Sequence, residues 1–198
     1  KDLTDHVNLA DLIQRILELK ASFMIRIGMM NPDQAIAIKE NLLKLFKSEQ
    51  VYKFLHIPLQ SADDKILNSM GRRYDAYTFL KLVNYFRKHV PDITIVTDVI
   101  VGFPREDNNS FRKTINFLNA IKPDKVNISR FMPRPHTVAN LMPQVSDLTK
   151  SKRSKLLTDI CRNLSIQRRR QFIGRITKVI ILESINSKYY GRTSFFVP

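Results

Sequence analysis

The chain has 198 residues, of which 43% are hydrophobic, and it carries a formal net charge of +15. This apolar content is enough for a folded core and argues against a disordered chain. No apolar run approaches the roughly 18 residues of a membrane helix, so neither a membrane span nor a membrane partner is expected. The single cysteine, Cys161, excludes an internal disulfide and is typical of a reducing compartment, here taken as the cytoplasm.

Strand-like and helix-like segments alternate four times along the first two thirds of the chain. We predict strands over 22–29, 51–59, 93–101 and 125–131, and helices over 8–19, 33–46, 61–70, 75–89 and 109–121. This alternation is typical of an α/β fold with a parallel sheet or barrel wall. The first strand is expected at an exposed edge, where unpaired backbone groups invite association.

Polar residues recur where the predicted strands end. They are Gln60 and Ser61, then Gly102 and Glu106, then Arg130 and Arg134. Ligands of α/β folds gather at the carboxyl ends of strands, so this repetition predicts one composite site. Asp98 interrupts the apolar third strand, and a carboxylate there costs several kcal/mol unless it is bonded or lies at an open mouth.

The last third of the chain is strongly basic. A helix is predicted over 147–171, and Asp159 is the only acid between Lys150 and Arg175. The apolar stripe of this helix is predicted to be Leu156, Leu157, Ile160 and Leu164. The charges would then face outward, which favours contact with the phosphates of a nucleic acid. Strands predicted over 173–184 and 189–197 mix aromatic and basic side chains, a combination suited to stacking on bases or to a small core.

Five segments occur in an order and spacing that resemble a known family. They are Arg26-Ile-Gly-Met-Met-Asn-Pro32, His56-Ile-Pro-Leu-Gln-Ser61, Met70-Gly-Arg-Arg-Tyr74, Thr97-Asp-Val-Ile-Val-Gly-Phe-Pro104 and Ile128-Ser-Arg-Phe-Met-Pro-Arg-Pro135. Together they closely resemble the radical S-adenosylmethionine (SAM) tRNA methylthiotransferases. The last segment is similar to the archaeal and eukaryotic subclass, which acts on N6-threonylcarbamoyladenosine at position 37 of tRNA. The end of the chain resembles the start of a TRAM domain, an RNA-binding β-barrel.

The resemblance implies how the chain is organised. Residues 1–145 would be the C-terminal part of a partial (βα) TIM-like barrel with four parallel strands, 146–171 a basic linker helix, and 172–198 the start of the TRAM-like module. The chain is expected to be a piece of a longer protein. The family holds two 4Fe-4S clusters through two sets of three cysteines, and this chain has one cysteine. It is therefore expected to contain no catalytic or metal-ligating residue, and to be inactive alone.

The resemblance also implies site residues. The candidates for SAM positioning are Gln60, Ser61, Asp98, Gly102 and Arg26. The candidates for contact with substrate or tRNA are Arg72, Arg73, Arg134, Arg168, Arg169, Arg170 and Arg192. The chain departs from the family pattern in three loops: Arg105 and Asp107 stand in its usual Gly-Glu-Thr turn, Ala62-Asp63 replaces Gly-Ser, and His136 replaces a glycine.

Other interpretations of these residues stay open. Asp98 and Arg26 could form a buried ion pair, Gln60 could cap the helix that follows, and His56 could be a core histidine. Arg72 and Arg73 could merely complement a helix dipole.

The whole chain also has alternative readings. It could be a non-catalytic RNA-binding module on an α/β scaffold. It could also be a barrel enzyme for a phosphorylated substrate, although no glycine-rich phosphate loop is present. The sequence leaves the oligomeric state open.

Overall fold

A computed structural model describes residues 7–197 of the chain. The first six residues of the predicted barrel segment and the last residue of the predicted β module lie outside this range. The elements are α1 (Leu9–Leu17), α2 (Pro32–Ala37), α3 (Lys39–Leu45), β1 (Phe54–His56), α4 (Asp64–Ser69), α5 (Ala76–His89), β2 (Thr94–Val101), α6 (Asn108–Ile121), β3 (Lys125–Arg130), α7 (Val138–Leu141), α8 (Asp147–Arg170), β4 (Val179–Ile185) and β5 (Lys188–Thr193). Within the described range, no helix has the length and apolarity to cross a bilayer.

The strand β2 lies at the centre of a parallel sheet with the order β1-β2-β3. Its Ile95, Val99 and Val101 are at most 1% exposed and belong to the large core formed with the helices. Residues two apart on a strand share a face, so Val96 and Asp98 lie on the opposite, open face. β2 is therefore covered by helices on one face and lined by cavities on the other, and the predicted α/β class is confirmed.

The first predicted strand does not form as a regular element. The segment 22–29 makes only two isolated parallel bridges, Ile25 to Val51 and Met29 to His56. It lies beside β1, at the edge where it was expected. β1 itself spans three residues instead of nine, and Pro58, which has no N–H to donate, follows it closely. Three of the four predicted parallel strands are thus regular, and the fourth is reduced to single contacts.

Two helix predictions need correction. The single helix predicted over 33–46 is broken at Ile38, whose φ of −117° is not helical. Asp63, and not Ser61, caps α4, because its side chain accepts the N–H of Lys65 at 2.9 Å. Helices α5 and α6 begin and end within one residue of the predicted bounds.

The basic helix leads to an antiparallel hairpin, β4–β5, which turns at Asn186 and Ser187 with φ angles of 49° and 62°. Such a pair of left-handed residues matches the turn that tight hairpins favour. β5 ends at Thr193, and the remaining residues fold back on the amino end of the sheet. The N–H of Lys53 donates to the carbonyl of Ser194 at 2.8 Å, and the ring of Phe196 lies 4.9 Å from that of Phe54.

Candidate functional site

A cavity of about 600 Å³ opens at the carboxyl ends of β1, β2 and β3. We call it the carboxyl-end cavity; Gln60, Asp98 and Arg134 line it, together with Met29 and Phe131. Gln60 and Arg134 belong to the predicted composite site, whereas Asp98 is the acid within the third predicted strand, and the parallel topology brings the three together. The remaining candidates for SAM contact, Ser61, Gly102 and Arg26, lie outside its lining.

Gln60 has the most unusual environment in this cavity. Its residue is 9% exposed, its φ is +66°, and its side-chain oxygen Oε1 is buried with no hydrogen-bond partner among the described residues. Its backbone is held against β2 on either side of Val99, because its N–H donates to the backbone carbonyl of Asp98 at 2.8 Å and its carbonyl accepts from the N–H of Ile100 at 3.0 Å. An unpaired buried acceptor costs free energy that a ligand donor would recover. Asp63 caps the helix that follows, so the capping alternative for Gln60 is wrong.

Asp98 is held from both sides on the open face of the sheet. One carboxylate oxygen lies 2.8 Å from Nε2 of His56, and the other accepts from the side-chain amide of Asn127 at 2.7 Å. The alternative of an ion pair with Arg26 is wrong. His56 is also no simple core residue, because its side chain keeps 16% exposure on the open face. His56 and Asn127 thus orient the carboxylate, which retains further lone pairs for a ligand.

Two of the predicted strand-end residues serve the packing of α8 instead. Gly102 has a φ of +75°, and an added Cβ would collide with Cγ of Lys150. Glycine is thus needed here for the approach of α8, where we had expected an approach of the cofactor. Glu106 is 4% exposed and lies 2.8 Å from Nη1 of Arg153. Burial raises the pKa of Glu106, against the opposing effects of the Gly102 N–H and Arg153.

Ser61 is fully buried in the helix layer. Its hydroxyl accepts the N–H of Asp63 at 3.2 Å and lies 3.5 Å from the hydroxyl of Thr114 on α6. The structure therefore places Ser61 among the contacts that anchor the loop after Gln60, and away from the carboxyl-end cavity.

A second cavity, of about 380 Å³, lies on the same open face at the opposite end of the strands. We call it the amino-end cavity. It contains three of the predicted arginines, Arg26, Arg169 and Arg192. Arg26 was expected near the cofactor, but its segment runs parallel to β1 and it lies beside Phe54, near the start of the sheet. Its guanidinium therefore belongs to the end remote from Gln60.

The other predicted arginines differ in their exposure and in whether they form an ion pair. Nε of Arg168 donates to Asp124 at 3.2 Å and its side chain is 17% exposed, so it is committed to a structural ion pair. Arg170 is exposed at the end of α8. Arg72 is half-buried and Arg73 exposed in the loop after α4, where both line shallow depressions.

Two contributors to the open face were missed from the sequence. Lys125 and Asn127 lie on β3 and line the amino-end cavity. A signal for them existed: Lys125, Asn127 and Ser129 alternate with Val126 and Ile128, and such a period of two marks one polar face.

Comparison with known proteins identifies the family of the fold. The model of the family described as Radical SAM superfamily matches residues 2–118, more than half of the chain. Coproporphyrinogen III oxidase (HemN) from Escherichia coli, a radical SAM enzyme, superposes with a TM-score of 0.62 at 18% identity. The superposition covers 80% of this chain and 38% of the HemN chain. This likeness concerns the fold alone and supports a partial barrel.

The sequence is also similar to proteins with more specific names. A protein of Pyrococcus horikoshii named probable threonylcarbamoyladenosine tRNA methylthiotransferase is 42% identical over 88% of this chain and 41% of its own length. A protein of the same name from Archaeoglobus fulgidus is 36% identical over 95% of this chain and 45% of its own length. The threonylcarbamoyladenosine tRNA methylthiotransferase of Homo sapiens is 36% identical over 92% of this chain and 32% of its own length. The chain thus spans less than half the length of these relatives.

Radical SAM proteins use SAM and an iron–sulfur cluster, and the chain fits these two groups differently. The unpaired oxygen of Gln60 and the oriented Asp98 carboxylate suit the hydroxyl and ammonium donors of SAM. Cluster iron needs a thiolate, whereas burial raises the pKa of Cys161 to about 11. Among residues 7–197, no three His, Cys, Asp or Glu side chains are grouped to hold a metal ion.

The described residues therefore include polar groups of a kind that suits SAM and no ligand set for a cluster. The family-model match, the superposition and the similarity over about nine tenths of the chain agree. The chain belongs to the radical SAM superfamily, as a segment similar to the threonylcarbamoyladenosine tRNA methylthiotransferases.

Proposed function

We propose that the chain is part of an enzyme that methylthiolates C2 of N6-threonylcarbamoyladenosine at position 37 of tRNA by radical SAM chemistry. The observation that carries this proposal is the identity of 42% over 88% of the chain with a relative of that name. The same name recurs for relatives in archaea and in humans.

In this proposal the carboxyl-end cavity positions SAM. Gln60 accepts a hydrogen bond from the cofactor through its buried Oε1, and Asp98 accepts a second, because His56 and Asn127 fix its carboxylate. Arg134 lies at the exposed rim of the cavity, where its guanidinium suits a carboxylate of the cofactor or of the threonyl group. SAM bound to a cluster supplies the radical chemistry. The residues of this chain bind and orient the cofactor and the substrate.

The two 4Fe-4S clusters of the proposed enzyme would be held by residues outside this chain, because Cys161 is buried in the core and is its only cysteine. The tRNA would be bound by exposed basic residues, among them Arg73 and Arg170. The proposed location is the cytoplasm, in keeping with a tRNA substrate and reduced cysteines.

The test uses the complete protein that carries this chain, with its clusters reconstituted under anaerobic conditions. Replacing Gln60→Leu should weaken SAM binding, measured by equilibrium dialysis, at least tenfold, since a hydrogen bond to a buried polar group is lost. Gln167→Leu, at an exposed position of α8, is the matched control and should bind SAM normally. Mass spectrometry of tRNA nucleosides should show methylthiolated threonylcarbamoyladenosine from the unchanged protein and the control.

Two results would contradict the proposal. If the reconstituted protein leaves threonylcarbamoyladenosine unmodified but binds tRNA, the chain is better described as a non-catalytic RNA-binding module. If Gln60→Leu and Gln167→Leu bind SAM equally well, the carboxyl-end cavity is not the SAM site.

A further inference from the structure

Four cationic side chains from separate parts of the chain converge on the amino-end cavity. They are Arg26 from the edge segment, Lys125 from the start of β3, Arg169 from the end of α8 and Arg192 from β5. Because these four residues are far apart in the sequence, only the tertiary fold brings them together. The four positive charges repel one another and so raise the free energy of the empty site. A bound anion reduces this repulsion.

The one acid in the lining does not neutralise this charge. Asp124 accepts from Arg168 at 3.2 Å and from the N–H of Ile95 at 2.8 Å, and Arg87 lies 4.0 Å away. Its carboxylate is thus already shared between two other guanidinium groups. Among the residues that the structure describes, no carboxylate lies within 4.0 Å of the four converging cations. The cavity therefore has an uncompensated positive charge.

Aromatic rings form the other part of the wall. The guanidinium carbon of Arg26 lies 5.3 Å from the ring centres of both Phe54 and Phe196, and that of Arg192 lies 4.2 Å from Phe196. Stacking against rings positions a guanidinium while leaving N–H groups at its edge for an anion. The volume of about 380 Å³ falls within the range of small-molecule sites. Flat apolar rings beside a cationic cluster are the combination that holds a base and its phosphate.

We propose that the amino-end cavity binds a nucleotide, with its phosphate on Arg26 and Arg192 and its base against the partly exposed ring of Phe196. The nucleotide is either free or one unit of an RNA strand, since both present the same phosphate and base. The site is separate from the carboxyl-end cavity, because no described residue lines both: His56 and Asn127 line the amino-end cavity, and Asp98, which is hydrogen-bonded to both, lines the other. It does not depend on the function proposed above.

The experiment measures binding of three probes to the protein by calorimetry: inorganic phosphate, adenosine 5′-monophosphate and a single-stranded oligoadenylate. Arg26→Gln and Arg192→Gln should each weaken nucleotide binding at least fivefold, because each removes a phosphate contact. Arg112→Gln removes the same charge from an exposed position on α6, far from the cavity lining, and should leave binding unchanged. Phe196→Leu should weaken the binding of both nucleotide probes and leave the binding of inorganic phosphate unchanged. Thermal unfolding of each variant checks that it is folded.

The results separate the sources of the nucleotide. A mononucleotide that binds as tightly as the oligoadenylate supports a free nucleotide, and an oligoadenylate that binds at least tenfold more tightly supports an RNA strand. If the Arg26 and Arg192 variants bind both nucleotide probes as Arg112→Gln does, the assignment is overturned. It is also overturned if adenosine 5′-monophosphate binds no better than inorganic phosphate.

Discussion

At the scale of single residues, two loop positions that depart from the expected family pattern carry backbone strain. Arg105 and His136 stand where the family pattern has glycine, and both have positive φ angles, 70° and 64°. Both turns therefore hold an L-residue in the left-handed conformation that glycine adopts at least cost. The resemblance noted from the sequence singled out these positions, and the backbone angles show that both are left-handed.

Replacing Arg105→Gly should stabilise the fold by up to about 1 kcal/mol. The left-handed backbone costs an L-residue about 1–2 kcal/mol, and the greater freedom of glycine in the unfolded chain offsets part of that gain. Arg112→Gly is the matched control, because it places glycine inside α6 and should destabilise by about 1 kcal/mol. Urea unfolding measures both, and a destabilised Arg105→Gly variant would show that the Arg105 side chain matters more than its backbone.

At the scale of elements, α8 packs with a face that the sequence predicted only in part. Its buried residues are Lys150, Arg153, Leu157, Cys161 and Leu164. The predicted stripe contained Leu156, which is 49% exposed, and it treated all the basic residues as outward. The aliphatic part of Lys150 covers Gly102, and Arg153 neutralises the buried Glu106. Long basic side chains can bury their stems in this way, so charge alone did not identify the solvent face.

Truncation of neighbouring leucines tests this packing. Leu157→Ala should destabilise the protein by about 2–5 kcal/mol, because Leu157 is fully buried against the core. Leu156→Ala, one residue away, removes the same atoms from an exposed position and should change stability by less than about 1 kcal/mol. The readout is the free energy of unfolding in urea. Equal losses for the two variants would contradict the orientation of α8.

At the scale of the whole molecule, the charge of +15 is distributed unevenly between structural and free cations. Arg153 and Arg168 belong to ion pairs that hold α8 to the sheet, whereas Arg169 and Arg170 are exposed. Only the exposed arginines can contact the phosphates of a nucleic acid and release the counterions bound there. The sequence predicted all three arginines at 168–170 as tRNA contacts, and their structural environments now distinguish them.

The dependence of tRNA binding on salt measures this difference. Replacing both Arg169→Gln and Arg170→Gln should lower the slope of log K against log salt by up to about 1.8, near 0.9 for each phosphate contact. Arg168→Gln should change the slope less and lower the melting temperature more, because Asp124 loses one of its two guanidinium partners. An unaltered slope in the double variant would remove the end of α8 from the tRNA footprint.

The sequence by itself determined the α/β class, the buried strand β2 and the basic α8, and it predicted a composite site at the carboxyl ends of the strands. These follow from local periodicity, and from the rule that parallel strands bring their carboxyl ends to one edge. The assignment of contacts required the tertiary structure. Glu106 meets Arg153 across 47 residues, and Arg26 lies at the opposite end of the strands from Gln60. Periodicity shows which residues share a face, but the partner of that face depends on packing between distant elements.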